Sequence, residues 1–177
     1  MSSSVYFSKF LVTNQVFYKS KHSFALVNLK PLVPGHVLVA PLRTSAVALA
    51  DLTSEESVDY FTTVRLVNRF IKSHFKADSM NIAIQDGPEA GQTVPHLHTH
   101  IIPRYRANNV GDKIYEMMDN WEFEPWAERR ARYVETKNNA EFSKPDNQRI
   151  ARSEEDLSQE AQELGESIAK FQANEKC

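Results

Sequence analysis

The sequence predicts an α+β fold: an antiparallel sheet of about five main strands, one long helix packed on it, and a helical tail at the C-terminus. Three patterns favour this class. Short segments rich in Val, Phe, Tyr and Leu fill the first half, a long amphipathic pattern follows, and a second such pattern lies near the end. Hydrophobic residues make up 41% and charged residues 25% of the 177 positions, which is typical of a globular chain with one core.

Four segments predict strands outside the histidine-rich region. They are residues 14–19, 23–29, 36–40 and 80–85, in which β-branched, aromatic and aliphatic residues predominate. Between the second and third, Pro34-Gly35 fits the two central positions of a type II turn, where glycine takes the positive φ. A turn-rich stretch, residues 86–91, separates the fourth strand from the histidines.

A long helix is predicted from about residue 54 to residue 75. Thr53 and Glu56 have the spacing of a capping box, in which a hydroxyl and a later carboxylate satisfy free amides at a helix start. Apolar residues then recur every three or four positions, which places them on one face that is expected to cover the sheet: Phe61, Val64, Val67, Ile71 and Phe75.

The last third divides into a polar stretch and a tail. We predict a domain over residues 1–118, a flexible loop over 119–144 and a charged helical tail over 145–177. Ser153 and Asp156 again resemble a capping box. The apolar stripe behind them is too short for a self-associating coil of three or more heptads, and it favours a docking helix: Leu157, Ala161, Leu164, Ile168 and Phe171.

Composition narrows the class of partner and compartment. The net charge of −2 argues against nucleic acid, and no apolar run approaches the ~20 residues of a membrane helix. Residues 1–50 carry five Lys or Arg and no acid, which suits an anionic ligand. The one cysteine, Cys177, excludes an internal disulfide, and the opening segment lacks a secretory pattern. We expect a cytoplasmic protein, with nuclear and mitochondrial pools left open.

The segment His96-Leu97-His98-Thr99-His100 is the main candidate for chemistry. On a strand, side chains two positions apart share a face at a spacing of about 6.6 Å, so the three imidazoles are expected to project together. A buried polar group without a hydrogen bond costs roughly 1–3 kcal/mol, which disfavours a row of core histidines. Two functions stay open: a zinc site with three protein ligands, and nucleophilic catalysis at phosphorus.

The surroundings favour a phosphate ligand. The stretch Gly91-Gln92-Thr93 offers backbone amides and a hydroxyl that suit phosphate oxygens, and the amides of Gln85 and Asn28 suit a phosphate chain and a sugar hydroxyl. Zinc sites usually hold their ligand histidines with carboxylates, and the nearest ones, Asp86 and Glu89, lie in the loop. The metal alternative therefore stays open as the second choice.

Over roughly residues 6–118 the chain closely resembles the fragile-histidine-triad branch of the histidine-triad superfamily. The segments that carry the resemblance are 24–28, 33–38, 85–94 and 96–100. The opening Tyr6–Phe10 and the long charged tail are similar to fungal members of that branch. Thr99 departs from the pattern, because the superfamily usually has aliphatic residues between the histidines.

The resemblance implies a histidine-triad fold, a homodimer, and hydrolysis of diadenosine triphosphate to AMP and ADP through a covalent adenylyl-histidine. It implies that His98 is the nucleophile and that the carbonyl of His96 accepts from the ring nitrogen not used for attack. His100 is expected to contact the phosphate and assist the leaving group, while His36 and His96 support the row from behind.

The resemblance also implies a set of substrate-binding residues. They are Lys9 near the nucleotide, Asn28 at the ribose, Gln85, Gly91, Gln92, Thr93 and Val94 along the phosphates together with His100, and Tyr115 by the outer part of the substrate. No metal and no tightly bound cofactor are expected, although Mg²⁺ or Mn²⁺ can accompany the substrate phosphates. Two alternatives stay open beside zinc: a nucleotide-bound signalling module with slow turnover, and another adenylate-releasing or phosphoramidate hydrolase of the superfamily.

Overall fold

The computed structural model describes residues 4–106 and 151–175. Its elements, in chain order, are β1 (Tyr6–Phe7), β2 (Phe10–Leu11), β3 (Val16–Lys19), β4 (Ser23–Val27), β5 (Val37–Pro41), α1 (Ser54–His74), β6 (Ser79–Ile84), β7 (Thr99–Arg104) and α2 (Glu154–Glu175). β1 and β2 form a small sheet, and the other five strands form an antiparallel sheet in the order β3-β4-β5-β7-β6. The predicted α+β fold is confirmed.

The pairing of β5 with β7 sets the two faces of the large sheet. Leu38 lies opposite His100, and Val39 lies opposite Thr99. Because alternate residues of a strand point to opposite sides, Val39 faces the core beneath the helices, whereas Leu38 belongs to a second apolar cluster on the other face. The histidine side chain of β7 therefore lies on the face away from the helices.

α1 begins with the predicted capping box. The Thr53 hydroxyl accepts from the Glu56 amide (3.2 Å), and the Glu56 carboxylate accepts from the Thr53 amide (2.9 Å). Val64, Val67 and Ile71 are buried as predicted, but Phe61 is 48% exposed, so its assignment to the core is wrong. Tyr60 takes the core position, because its hydroxyl donates to the carbonyl of Val39 (3.1 Å) beneath the helix.

α2 is the predicted docking helix. The Ser153 hydroxyl accepts from the Asp156 amide (3.0 Å) at its start, and its buried side chains join the same core as those of α1: Leu157, Ala161, Leu164 and Ile168. Gly165 allows a close approach to β3, since a Cβ there would lie 3.3 Å from the carbonyl oxygen of Phe17. α2 thus covers the β3 side of the sheet.

The N-terminal hairpin, residues 5–12, covers the face opposite the helices. Its inner side chains pack with those of the sheet in one cluster: Val5, Phe7, Val12, Phe24, Leu26, Leu38 and Ala40. The turn between β1 and β2 places Ser8 at a positive φ of 54°. This hairpin and the sheet enclose the histidine segment between them.

The predicted strand over His96–His100 needs correction, because β7 begins only at Thr99. The amide of Leu97 donates to the carbonyl of Ala46 (2.8 Å), and the carbonyl of His96 accepts from a side chain. These backbone groups are therefore engaged by a loop and by a histidine ring, and none of the strands in residues 4–106 pairs with them. The side chains still alternate, since Leu97 and Ile101 enter the core beneath the helices.

Two predictions concern residues beyond the described ranges. The loop over residues 119–144 and Tyr115 both fall outside residues 4–106 and 151–175, and they stay predictions. Within those ranges, no helix is long and apolar enough to cross a membrane.

Candidate active site

His98 lies just before β7 and is 5% exposed. Its Nδ1 is 2.8 Å from the carbonyl oxygen of His96, and because a carbonyl can only accept, Nδ1 carries the proton. The neutral ring has a single N–H, so Nε2 keeps a lone pair. Burial lowers the pKa of His98, against the opposing effect of the bond to His96, and the ring is neutral at physiological pH. The expected bond to the His96 carbonyl is confirmed.

Both ring nitrogens of His96 are engaged. The Ser8 amide donates to Nδ1 (2.9 Å), which places the proton on Nε2, and Nε2 donates to the carbonyl of Pro41 (2.9 Å). Burial lowers the pKa of His96 to about 4, since desolvation outweighs the bond to Pro41 that favours the charged ring. The side chain of His96 thus joins the hairpin turn to the end of β5, while its carbonyl orients His98.

His36 and His100 are joined by a hydrogen bond in which His36 is the donor. The Leu32 amide donates to Nδ1 of His36 (3.1 Å), so the proton of the neutral His36 ring is on Nε2. That nitrogen lies 3.0 Å from Nδ1 of His100 and donates to it, which places the proton of the neutral His100 ring on Nε2. Backbone amides and carbonyls therefore set the tautomers of His36, His96 and His98, and the ring of His36 sets that of His100.

The rings of the four histidines form one group. The ring centroids of His98 and His100 are 5.0 Å apart, and those of His36 and His100 are 5.2 Å apart. The Phe7 ring lies 5.3 Å from that of His96 and stands edge-on to that of His98 at 5.2 Å. The group thus combines an Nε2 lone pair on His98 with an N–H on the neighbouring His100 ring.

Asn28 follows β4 directly and lies next to this pair. Its Oδ1 accepts from the Lys30 amide (3.0 Å), which fixes the orientation of the side-chain amide. Its Nδ2 is 3.2 Å from Nε2 of His36. Since both groups are donors in the tautomer above, this is a polar contact and not a hydrogen bond, and Nδ2 remains directed at the site.

The loop between β6 and the histidines is stabilised from within. A single helical turn, Pro88–Ala90, is flanked by Gly87 and Gly91 at positive φ values of 109° and 86°. The amide of Gly91 donates to the carbonyl of Pro88 (3.0 Å), and the amide of Gln92 donates to that of Gly87 (3.1 Å). The side chain of Gln92 is likewise bonded within the protein.

Fewer amides of this loop are therefore available to bind an anion than the sequence suggests, because those of Gly91 and Gln92 are engaged. No hydrogen bond among residues 4–106 and 151–175 engages the amides of Thr93 and Val94. Gln85 follows β6, whose Ala83 lies opposite His100. Lys9 sits at the exposed turn of the hairpin, with Nζ 5.7 Å from the Phe10 ring centroid and beside the Ser8 amide that binds His96.

Sequence reasoning missed the groups that fix the tautomers. The amides of Ser8 and Leu32 and the carbonyl of Pro41 act through the backbone, which every residue carries, so no residue type signals them. Thr99, which departs from the aliphatic pattern, is explained by a partner across the sheet. Its Oγ1 lies 2.7 Å from the Tyr60 hydroxyl, so its polar group is satisfied although it is fully buried.

The hydrogen bonds of the histidine rings limit which nitrogens a metal ion could reach. Among the described residues, no three His, Cys, Asp or Glu side chains are grouped so that they would hold an ion. Both ring nitrogens of His96 are engaged, and Nδ1 of His98 and Nδ1 of His36 are also occupied. A zinc ion could bind His96 only by displacing one of its two bonds.

Comparison with known proteins identifies the family. The model of the HIT domain matches residues 10–107. A bis(5'-adenosyl)-triphosphatase of Saccharomyces cerevisiae is 53% identical over 195 aligned positions, which cover 97% of this chain and 95% of that protein. A bis(5'-nucleosyl)-tetraphosphatase (asymmetrical) of Schizosaccharomyces pombe is 52% identical over 120 positions, 67% of this chain and 65% of that protein.

A solved structure agrees with these matches. The Plasmodium falciparum diadenosine triphosphate hydrolase, in complex with cyclomarin A, superposes with a TM-score of 0.68 at 28% identity, covering 96% of this chain and 87% of that one. All four histidines lie within the matched residues 10–107, whereas Ser8, whose amide binds His96, precedes them. The chain therefore belongs to the histidine-triad (HIT) domain family.

Proposed function

We propose that this chain hydrolyses diadenosine triphosphate to AMP and ADP through a covalent adenylyl group on His98. The observation that carries the proposal is the bond from Nδ1 of His98 to the carbonyl of His96 (2.8 Å), which leaves Nε2 as an oriented lone pair. The yeast bis(5'-adenosyl)-triphosphatase, at 53% identity over nearly the whole chain, supports this choice of substrate.

In the first step, Nε2 of His98 forms a bond to the α-phosphorus while the bond from that phosphorus to the bridging oxygen of ADP breaks. The N–H on Nε2 of His100 donates to the oxygens on which negative charge develops. His36 fixes that proton in place through its own donated bond (3.0 Å). No proton has to leave His98 before attack, because its ring is already neutral.

In the second step, water attacks the same phosphorus, the N–P bond breaks, AMP departs, and the proton of the water passes to solvent. The amides of Thr93 and Val94 hold phosphate oxygens, and Lys9 and Gln85 contribute charge and an amide group nearby. Gly91 shapes the turn through its positive φ. Asn28 directs Nδ2 to the ribose, and Tyr115 stays assigned to the outer part of the substrate.

The test is product analysis with a matched variant. Purified protein with diadenosine triphosphate is expected to yield equal amounts of AMP and ADP, and brief reaction should leave an acid-labile adenylyl group on a peptide that contains His98. His98→Asn should abolish cleavage and labelling while nucleotide binding, measured by calorimetry, survives. Turnover by this variant close to that of the parent protein would remove the proposal.

The ranking of substrates needs its own measurement. The fission-yeast relative carries the name of a tetraphosphatase, so diadenosine tetraphosphate is a second candidate for the same chemistry. We propose that the triphosphate is preferred, because the relative with that activity matches nearly the entire chain. Comparison of kcat/KM for the triphosphate, the tetraphosphate and an adenosine phosphoramidate decides this, and equal values would contradict the assignment.

We propose that no tightly bound metal takes part and that Mg²⁺ or Mn²⁺ acts only with the substrate phosphates. Support comes from the engaged ring nitrogens of His96, which a metal would have to free. Elemental analysis of the purified protein should find no stoichiometric zinc. One zinc per chain, with activity lost to a chelator and regained with zinc, would contradict this.

We further propose that two copies associate through the free edge of β6 and the adjoining flank of α1. None of the described strands pairs with that edge, and Ile82 on it is 51% exposed. Such edges favour antiparallel pairing with a second chain.

Light scattering tests the dimer. The parent protein should have twice the 20.2 kDa mass of one chain, and Ile82→Lys should halve the measured mass. Leu11→Lys is the matched control, since Leu11 is an equally exposed apolar residue on the hairpin. A parent protein with the mass of one chain would contradict the proposal.

We also propose a cytoplasmic location, supported by a single cysteine in the whole sequence, with nuclear or mitochondrial pools as the alternatives. Microscopy of a tagged full-length chain separates the three.

A further inference from the structure

The side chain of Gln92 links three segments around the histidines. Its Oε1 accepts from the Gly87 amide (3.1 Å), and its Nε2 donates to the carbonyl of Val47 (2.8 Å) and, over a longer 3.4 Å, to that of His96. We propose that Gln92 is a positioning residue, which fixes the phosphate loop and the carbonyl that orients His98, and is not itself a phosphate ligand.

The N–H donors of the Gln92 side chain are engaged within the protein. Its amide group offers two N–H donors and one oxygen acceptor, and these face two carbonyl oxygens and one N–H. Its backbone amide donates to the carbonyl of Gly87 (3.1 Å). To bind a phosphate oxygen, Gln92 would have to give up one of these bonds, whereas the amides of Thr93 and Val94 give up nothing.

Gln92 also completes a connection between the histidine segment and residues 46–49. The Leu97 amide donates to the carbonyl of Ala46 (2.8 Å), and the Leu49 amide donates to the carboxylate of Asp86 (2.8 Å). The bond from Gln92 to Val47 lies between these two along the segment. Because Gly87 and residues 46–49 are then fixed relative to each other, the loop cannot shift without breaking bonds at both ends.

The effect on His98 passes through one oxygen atom. The carbonyl of His96 accepts from Nδ1 of His98 at 2.8 Å and from Nε2 of Gln92 at 3.4 Å. Removing the second donor leaves the imidazole of His98 as the one described hydrogen-bond donor to the His96 carbonyl oxygen, while the Leu97 amide still holds the other end of that peptide group. The direction of the attacking Nε2 then becomes less well defined, although the ring still has its partner.

The kinetic test of this role for Gln92 rests on the proposed function, whereas the spectroscopic test does not. The Nδ1–H resonance of His98 is recorded by ¹H–¹⁵N NMR in the ligand-free full chain and assigned by its absence in His98→Asn. Gln92→Glu keeps the size and one acceptor oxygen but loses the donor. It is expected to move that resonance, while the exposed control Glu89→Gln leaves it unchanged.

In kinetics, Gln92→Glu should lower kcat about 10- to 100-fold and change KM by less than about threefold, as expected for a group that positions the nucleophile. Its negative charge favours the imidazolium form, so the acid limb of the kcat profile should move to higher pH. Gln92→Leu, which removes the donor without adding charge, should lower kcat with no shift of that limb.

An unmoved resonance in both variants would overturn the proposal, as would a rise in KM of about tenfold at unchanged kcat, since the latter is the signature of a phosphate ligand. If Gln92→Glu does not fold, Gln92→Leu carries the same NMR readout. A parent protein that does not cleave diadenosine triphosphate would defeat the proposed function, yet the resonance would still decide the role of Gln92.

Discussion

The two sides of one short segment, residues 96–101, differ in what holds them. Leu97 and Ile101 enter the core beneath the helices, whereas His96 and His98 face the N-terminal hairpin. All four are buried. The helix side is held by apolar packing, and the histidine side by hydrogen bonds whose direction is fixed by backbone groups. The two sides are therefore alike in burial and differ in hydrogen bonding.

The helix side of this segment is expected to govern the free energy of unfolding. Leu97→Ala should lower the free energy of unfolding by about 3–5 kcal/mol, because it removes a fully buried side chain and leaves a cavity. The kcat of the folded fraction should stay within about threefold of the parent value. Urea unfolding and single-turnover kinetics measure the two effects, and a large loss of kcat in fully folded protein would break the distinction.

The histidine side should instead make stability depend on pH. The folded pKa of His96, about 4, lies below the ordinary value of 6.5, so the unfolded chain binds more protons between these values. Stability is fully present above pH 6.5 and should fall as the pH drops toward 4, by on the order of 3 kcal/mol. The lowered pKa of His98 acts in the same direction.

Thermal unfolding between pH 4 and pH 7 measures this loss. The destabilisation caused by Leu97→Ala should be the same at every pH in that range, since it comes from packing. A parent protein equally stable at pH 4.5 and pH 7 would contradict the assignment of His96 as a neutral, buried group.

The hydrogen bond between His36 and His100 allows a further test on the histidine side. His36→Phe keeps a ring but removes the donor to Nδ1 of His100, and kcat should fall about 100-fold, or ~2.7 kcal/mol. The Leu32 amide also loses its acceptor, so some stability should be lost with it. Stopped-flow kinetics at saturating substrate measure the fall in kcat. An unchanged kcat would show that the hydrogen bond between His36 and His100 does not matter for the reaction.

The smallest effect is expected at the polar contact on the helix side. Tyr60→Phe should cost about 1–2 kcal/mol of unfolding free energy, because the Thr99 hydroxyl loses a partner in the core. Thr99→Val in the same chain should recover part of that loss, since no buried hydroxyl then remains. Additive effects in this double-mutant cycle would show that the two hydroxyl groups are not coupled.

Much of the fold follows from local patterns in the sequence. The capping residues Thr53 and Glu56 predict the start of α1, and the stripe from Leu157 to Ile168 predicts the buried face of α2. Phe61 shows where such patterns stop. A helical period specifies a face only to within a residue, and the hydroxyl of Tyr60, with partners on β5 and β7, decides the actual rotation.

For the site, the sequence by itself determined the chemical groups: four histidines, an amide-rich loop, and the alternation that separates His98 from Leu97 and Thr99. Only the tertiary structure decided which nitrogen of each ring carries the proton, because the deciding partners are backbone amides and carbonyls of Ser8, Leu32 and Pro41. It also decided that Gln92 is engaged within the protein. Backbone groups are the same in every residue, so their arrangement follows from folding and not from residue type.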